Sequence, residues 1–308
     1  MKVIISGFYD EVSLKLDNQI ALLNELGEKY MCPRLLDGKN IADYTLEEFV
    51  EKIKPRLDEN GIKFSSIGSP IGKVDVNDEI GFEKQLTQLK ELVKISEVMD
   101  CKYIRMFSFF MPKNCDPSKY RDKVLEKLQK FLEIVEGTSV TLLHENEKEI
   151  YGDVYERCLD LYHTLNHPQF KLIYDASNYI QVGCNPNVAY DAVKEYTVYY
   201  HMKDCDAETN VEMPLGLGFT DYKTIFKDLY ARGYEGFMTM EPHTQKYALG
   251  RRVMGFLPFL KFVKPDFYKG FKKIDKKLGV SLFKKITPKD VFVMQYENLK
   301  KFIEEAGK

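Results

Sequence analysis

The sequence predicts a closed (β/α)8, or TIM, barrel with a C-terminal basic helical extension. Three observations carry that expectation. Short apolar runs alternate with segments of helical periodicity eight times in about 260 residues, the pattern of a parallel sheet with crossover helices. Four of the later runs end abruptly in an ionisable group: Glu145, Asp175, His201 and Glu241. The stretch after the first run, Ser6-Gly7-Phe8-Tyr9, lacks the glycine-rich phosphate fingerprint that an open, doubly wound sheet would need there.

The elements follow in order. Val3–Ser6 is strand one. Leu14–Leu26 has roughly helical apolar spacing and stops at Gly27. Tyr30–Leu36 is a second strand interrupted by Pro33, and Leu46–Asn60 is a helix closed by Gly61. Ile62–Ile67 alternates like a strand and runs into the loop Gly68–Lys73. A long helix over Glu79–Met99 precedes strand four, Lys102–Phe107, and Pro117–Glu136 is the next helix. Val140–Glu145 is strand five and Tyr151–Leu165 a helix. Phe170–Asp175, Val198–His201 and Phe237–Glu241 are strands six to eight, with helices near Asn187–Glu195 and Tyr222–Arg232 between them. A final helix is expected near Ala248–Val263. The barrel is thus assigned to residues 1–264 and the extension to 265–308.

The 308 residues, 44% apolar and 30% charged, suit a globular protein, and a net charge of −2 gives no global attraction to nucleic acid or membrane. Six scattered cysteines form no C-x-x-C pair, which fits a reducing cytoplasm and excludes a zinc ribbon. Met1–Ser6 is too short for a signal-peptide core, and no run of 18 apolar residues exists. The expected location is cytoplasmic. The tail differs in charge: Lys264–Lys308 has twelve lysines against six acids, leaving the rest of the chain acidic. Asp290–Ile303 has the pattern of an amphipathic helix that packs on the barrel with a solvated lysine face. A surface for a second subunit or a homo-oligomer is the alternative use.

Charges at the ends of buried strands are costly unless paired or bound to a metal. Singly, Asp175 could cap the turn at Ser177 and Asn178, His201 could be a core histidine, and Glu241 could serve an ion pair. On four consecutive strand ends, about 5 Å apart where strands are neighbours, they form a set that converges on one ion. Three carboxylates and an imidazole are hard donors that suit one divalent ion, Mn2+ first, with Mg2+, Co2+ or Zn2+ as alternatives. Arg105 ends strand four and Lys73 follows strand three, so either could hold a substrate phosphate or carboxylate or pair with a nearby acid. Lys203 and Glu147 are placed to orient ligands. His144 adjoins a ligand but alternates to the other side of its strand, so a supporting role fits it better than catalysis. Arg105, Lys73, His144 and Lys203 complete the candidate substrate-binding set. Gly216-Leu-Gly218 could cradle phosphate or be a plain turn. Phe8, Tyr9 and Phe107 could wall a sugar or fill the barrel.

Eight motifs in order carry a family resemblance: Ser6-Gly-Phe-Tyr-Asp-Glu11, Ile67-Gly-Ser-Pro-Ile-Gly-Lys73, Ile104-Arg-Met-Phe-Ser108, His144-Glu-Asn-Glu147, Asp175-Ala-Ser-Asn178, His201-Met-Lys-Asp204, Pro214-Leu-Gly-Leu-Gly218 and Glu241-Pro-His243. Over about residues 1–262 the chain resembles the xylose isomerase-like barrels, the sugar phosphate isomerases and epimerases. The resemblance implies that Glu145, Asp175, His201 and Glu241 are metal ligands, and that Glu145 and Glu241 double as an acid/base pair. It also implies a small carbohydrate substrate, isomerised or epimerised by proton transfer through a metal-stabilised enediolate. Which glutamate removes the proton depends on substrate stereochemistry. A dehydratase or lyase of the same family, of the inosose-dehydrating or C-glycoside-cleaving kind, is the alternative, because the same enediolate can expel a neighbouring hydroxyl. A non-catalytic sugar-binding barrel is the alternative of another class. The family's DNA-repair branch needs histidines at the early strand ends. All five histidines, at 144, 163, 167, 201 and 243, lie later, and an acidic barrel opposes a phosphate backbone.

Overall fold

Eight parallel strand segments surround the interior in a computed structural model that describes residues 1–256, 259–281 and 284–308. They are β1 (Lys2–Gly7), β2 (Tyr30–Met31), β3 (Lys63–Phe64), β4 (Tyr103–Met106), β5 (Thr141–Glu145), β6 (Phe170–Asp175), β7 (Thr197–Met202) and β8 (Glu235–Met240). Six form a continuous parallel sheet in the order β1-β8-β7-β6-β5-β4, curled into a half-barrel. β2 and β3 form a short parallel pair of their own. Backbone bonds tie that pair to both sheet edges: Cys32 N–H donates to Gly7 O at 3.0 Å, and Ile67 N–H to Tyr103 O at 2.8 Å. The fold is a TIM barrel.

The second strand is shorter than its apolar pattern predicts. Pro33 offers no N–H to a ladder. The chain then folds Leu35–Leu36 back onto Lys39–Asn40 as an antiparallel hairpin. Its turn residues, Asp37 and Gly38, both have positive φ (51° and 79°), the Asp-Gly hairpin conformation. The helix expected over Leu46–Asn60 is two helices, Leu46–Lys52 and Lys54–Glu59, broken at Ile53, where Pro55 cannot continue the bonding of the preceding turn.

Inside the barrel, Leu143, Ile173 and Tyr199 make a small apolar layer. Beside it, Ser6 Oγ meets Ser65 Oγ at 2.6 Å, and Ser65 Oγ meets the Tyr199 hydroxyl at 2.8 Å. These buried hydroxyls satisfy one another, as polar groups removed from water must.

The C-terminal residues join this architecture. Pro288–Glu305 is a helix with a capping box between Thr287 and Asp290. Phe292 packs on Tyr9 with ring centroids 4.9 Å apart, and Phe302 stacks on Phe226 at 5.3 Å. Lys289 pairs with Glu25 at 2.6 Å. The helix therefore lies between the first crossover helix, Leu16–Glu25, and the seventh, Tyr222–Ala231, where an eighth barrel helix belongs. Val291, Phe292 and Leu299 are fully buried, each worth roughly 1.5–3 kcal/mol. The helix expected near Ala248–Val263 appears as Thr244–Phe256 and Leu260–Val263; residues 257–258, in its middle, lie outside the described residues. With Pro265–Leu278, these segments form an excursion between β8 and the last helix. A separate apolar cluster of Val211, Met213, Tyr247, Phe271, Ile274 and Val291 holds it in place. At its centre the buried Asp275 accepts from Tyr247 Oη at 2.5 Å and Arg251 Nε at 2.6 Å. Among the described residues no helix is long and apolar enough to cross a membrane.

Candidate metal centre

Period-two alternation decides what faces the barrel axis. Glu145, Asp175 and His201 point inward at the ends of β5, β6 and β7, and Glu241 follows β8 directly. One donor atom from each lies within 4.8 Å of the others, and all four residues are buried. His201 Nδ1 is 2.9 Å from Glu145 Oε1, 3.4 Å from Glu241 Oε2 and 3.9 Å from Asp175 Oδ2.

Three buried carboxylates in one cluster need compensating charge. Arg105 Nη1 lies 3.0 Å from Glu145 Oε2, and Arg34 Nη1 lies 2.8 Å from Glu241 Oε1. Lys203 Nζ sits 3.0 Å from Asp175 Oδ2 and 3.4 Å from Glu241 Oε2. The two guanidinium groups flank the Phe8 ring, at 4.4 Å for Arg34 and 5.0 Å for Arg105, and the same ring meets His201 edge-on at 5.2 Å. Burial alone would push the His201 imidazole down, but Glu145 and Glu241 outweigh it and hold it up at about 9.

The residues fit a divalent ion. Asp175 Oδ2 is buried and accepts no hydrogen bond, although Lys203 lies within ion-pair distance of it. The other oxygen, Oδ1, accepts from Asn178 N at 3.0 Å, so Asp175 caps the helix Ala176–Gln181 and keeps Oδ2, which faces Lys203 and His201, for the cluster. Asn146 fixes the neighbouring strand ends: its Nδ2 donates to Asp175 O at 2.9 Å and its Oδ1 accepts from Asp175 N at 3.0 Å. Such supports orient ligands.

The remaining candidates divide. Arg105 and Lys203 contact the cluster as described. Lys73 pairs with Glu147 at 3.0 Å and lies over the Phe107 ring. His144 does not join the substrate-facing groups: strand alternation turns it away, and its Nε2 meets Ser108 Oγ at 2.9 Å. Burial pushes that imidazole down to about 4, so it is a neutral packing residue. Gly216–Gly218 is a turn wrapped on a side chain, since Gly218 N and Thr220 N donate to the two oxygens of Asp204 at 2.8 and 3.2 Å.

Sequence reasoning missed Arg34, Asp10 and Glu11. Arg34 contacts all three of Asp10, Glu11 and Glu241. Their signal was the strand-end rule itself: Asp10 and Glu11 follow β1, and Arg34 follows β2. Glu11, Glu241 and His243 also bring donor atoms within 4.8 Å of one another, with Arg34 supplying positive charge to both carboxylates.

The family profile described as "Xylose isomerase-like TIM barrel" matches residues 20–257. None of the curated proteins compared matches the chain. Among solved structures, a xylose isomerase-like TIM barrel protein from Mycobacterium smegmatis in complex with magnesium is 14% identical, with a TM-score of 0.66 over 98% of this chain and 97% of that one. The IolI protein with a bound zinc atom is 14% identical, with a TM-score of 0.68 over 99% of each chain. D-psicose 3-epimerase from Clostridium cellulolyticum H10 with D-tagatose is 17% identical, with a TM-score of 0.61 over 79% of this chain and 85% of that one. At these identities the likeness is one of fold, whereas the profile match spans most of the sequence. The chain belongs to the xylose isomerase-like TIM barrel family.

Proposed function

We propose that this protein is a divalent-metal-dependent isomerase or epimerase of a small carbohydrate, with Glu145, Asp175, His201 and Glu241 as ligands and Glu145 and Glu241 as the proton-transfer pair. The observation that carries the reading is the pairing of each glutamate with its own guanidinium. Arg105 holds one oxygen of Glu145 and Arg34 one oxygen of Glu241, while the second oxygen of each turns toward His201 Nδ1. Each carboxylate is thereby fixed on one side, with its second oxygen turned into the cluster, as a positioned general base or acid requires. The likeness to an epimerase acting in the same fold supports it.

When bound, a divalent ion, Mn2+ by preference for this oxygen-rich set, supplies Lewis acidity toward a ketose carbonyl. One glutamate takes the proton from the carbon beside that carbonyl, leaving an enediolate. The other returns a proton from the opposite side. Arg105 and Arg34 keep the two carboxylates apart and oriented, and Lys203 stays between Asp175 and Glu241 as a fixed positive charge. The six free cysteines support placing the reaction in a reducing cytoplasm. Association with a second subunit through the C-terminal extension would use its outward lysine face together with the exposed apolar side chains Phe262, Val263 and Phe267.

Incubation with a panel of ketoses in D2O with Mn2+ tests the reading. Deuterium is expected at the carbon next to the carbonyl, at a rate that falls on Glu145→Gln and on Glu241→Gln. No uptake across the panel would remove the proposal. Product analysis then separates an epimer or aldose from an elimination product.

A further inference from the structure

We infer that the substrate is uncharged at the end remote from its reacting carbonyl, a free polyhydroxylated ketose and not a ketose phosphate, and that Asp10 sets this preference; the inference rests on the isomerase or epimerase reading above. A cleft of about 380 Å³ opens beside Glu241, with Asp10, Glu11, Arg34, Asn40, His243 and Lys246 among its lining residues. Arg34 joins cleft and centre, since its Nη1 bonds Glu241.

A phosphate dianion needs cations or N–H groups with donors to spare. Among the described residues, each lysine or arginine that contacts the four-residue cluster or lines the cleft already faces carboxylates. Arg34 faces Asp10, Glu11 and Glu241, and Arg105 faces Glu145. Lys203 faces Asp175 and Glu241, and Lys246 faces Glu212 at 3.0 Å. At the glycine turn that resembles a phosphate cradle, Gly218 N and the following Thr220 N are given to Asp204.

On the inner side of the cleft three carboxylates, Asp10, Glu11 and Glu241, face the one guanidinium of Arg34. Arg34 Nε takes Asp10 Oδ2 at 3.0 Å, but Asp10 Oδ1, equally buried, has no donor. Like charges brought together in a recessed site are strongly disfavoured. Sugar hydroxyls meet no such opposition, and Asn40 and Gln245 line the same cleft with neutral amides.

The test compares ketoses with their terminal phosphate esters, D-fructose with D-fructose 6-phosphate, D-tagatose with D-tagatose 6-phosphate and L-ribulose with L-ribulose 5-phosphate, as kcat/KM for deuterium uptake. For any pair that reacts, the free ketose is expected to be faster by about 100-fold or more. Asp10→Asn, which keeps the shape and removes the charge, is expected to narrow that ratio about tenfold. An ester as fast as its parent, or a ratio unmoved in a folded Asp10→Asn variant, overturns the inference while leaving the isomerase reading intact. Absence of uptake from every ketose overturns the isomerase reading. The charge preference is then decided by saturation-transfer NMR, in which xylitol is expected to bind and xylitol 5-phosphate is not. Tighter binding of the phosphate would overturn the inference.

Discussion

Gln295, on the last helix, donates its Nε2 to Met202 O at 2.6 Å, the carbonyl immediately after His201. The same side chain accepts Leu215 N on its Oε1 at 2.6 Å. One buried amide thus ties the C-terminal helix to the end of β7 and to the loop that follows it. The tail is part of what positions the centre. Gln295→Leu leaves the buried Leu215 N–H without its partner, at about 1–3 kcal/mol, and takes one of two donors from Met202 O, which keeps Glu241 N at 3.2 Å. Urea unfolding is expected to show that loss, and metal affinity is expected to fall with it, because His201 and Lys203 flank that carbonyl.

Phe292 is completely buried against Tyr9. Phe292→Ala is expected to cost about 3–5 kcal/mol. Lys276→Ala, on the exposed side of the extension, is expected to stay within about 0.5 kcal/mol. Equal effects in denaturant titrations would contradict a C-terminal helix that serves as a structural member of the barrel.

Lys203 is shared between Asp175 and Glu241. Lys203→Met removes a cation from a cluster of carboxylates, so a divalent ion is expected to remain bound. Proton transfer is expected to fall roughly 10²–10⁴-fold, the usual range for a disturbed general acid or base. Calorimetric titration with Mn2+ and deuterium uptake on the same sample separate the two effects. Loss of metal binding would show that Lys203 builds the site instead of tuning it.

Metal removal should lower stability by mass action. At a free Mn2+ concentration 100-fold above Kd, binding contributes about 2.7 kcal/mol, which for a chain of this size raises Tm by roughly 2–4 °C per kcal/mol. Thermal scans with EDTA and with Mn2+ are expected to show the rise in wild type and none in His201→Asn.

The second half of the barrel was legible because β5 to β8 are apolar runs that end on a charge, and the same rule places Glu145, Asp175, His201 and Glu241. It worked less well where strands are short. β2 keeps two residues before Pro33, and the Asp37-Gly38 turn takes the apolar pair Leu35–Leu36 into a hairpin. The C-terminal half of the chain offers two amphipathic segments after β8, and periodicity does not say which of them fills a vacant barrel position. Pro288–Glu305 does so because Phe292, Gln295 and Phe302 find partners just after β1, on β7 and on the seventh crossover helix, contacts separated by 76 to 283 residues in sequence. The salt links of Arg34 and Lys203 are likewise long-range, and residue type alone does not pair them.

The most direct test of the four-residue centre is metal content by plasma mass spectrometry after equilibration with Mn2+ and removal of free ion. One ion per chain is expected in wild type, and none in Asp175→Asn or His201→Asn variants that remain folded by circular dichroism. A wild-type chain that retains no ion or three ions, or folded variants that keep theirs, would contradict it.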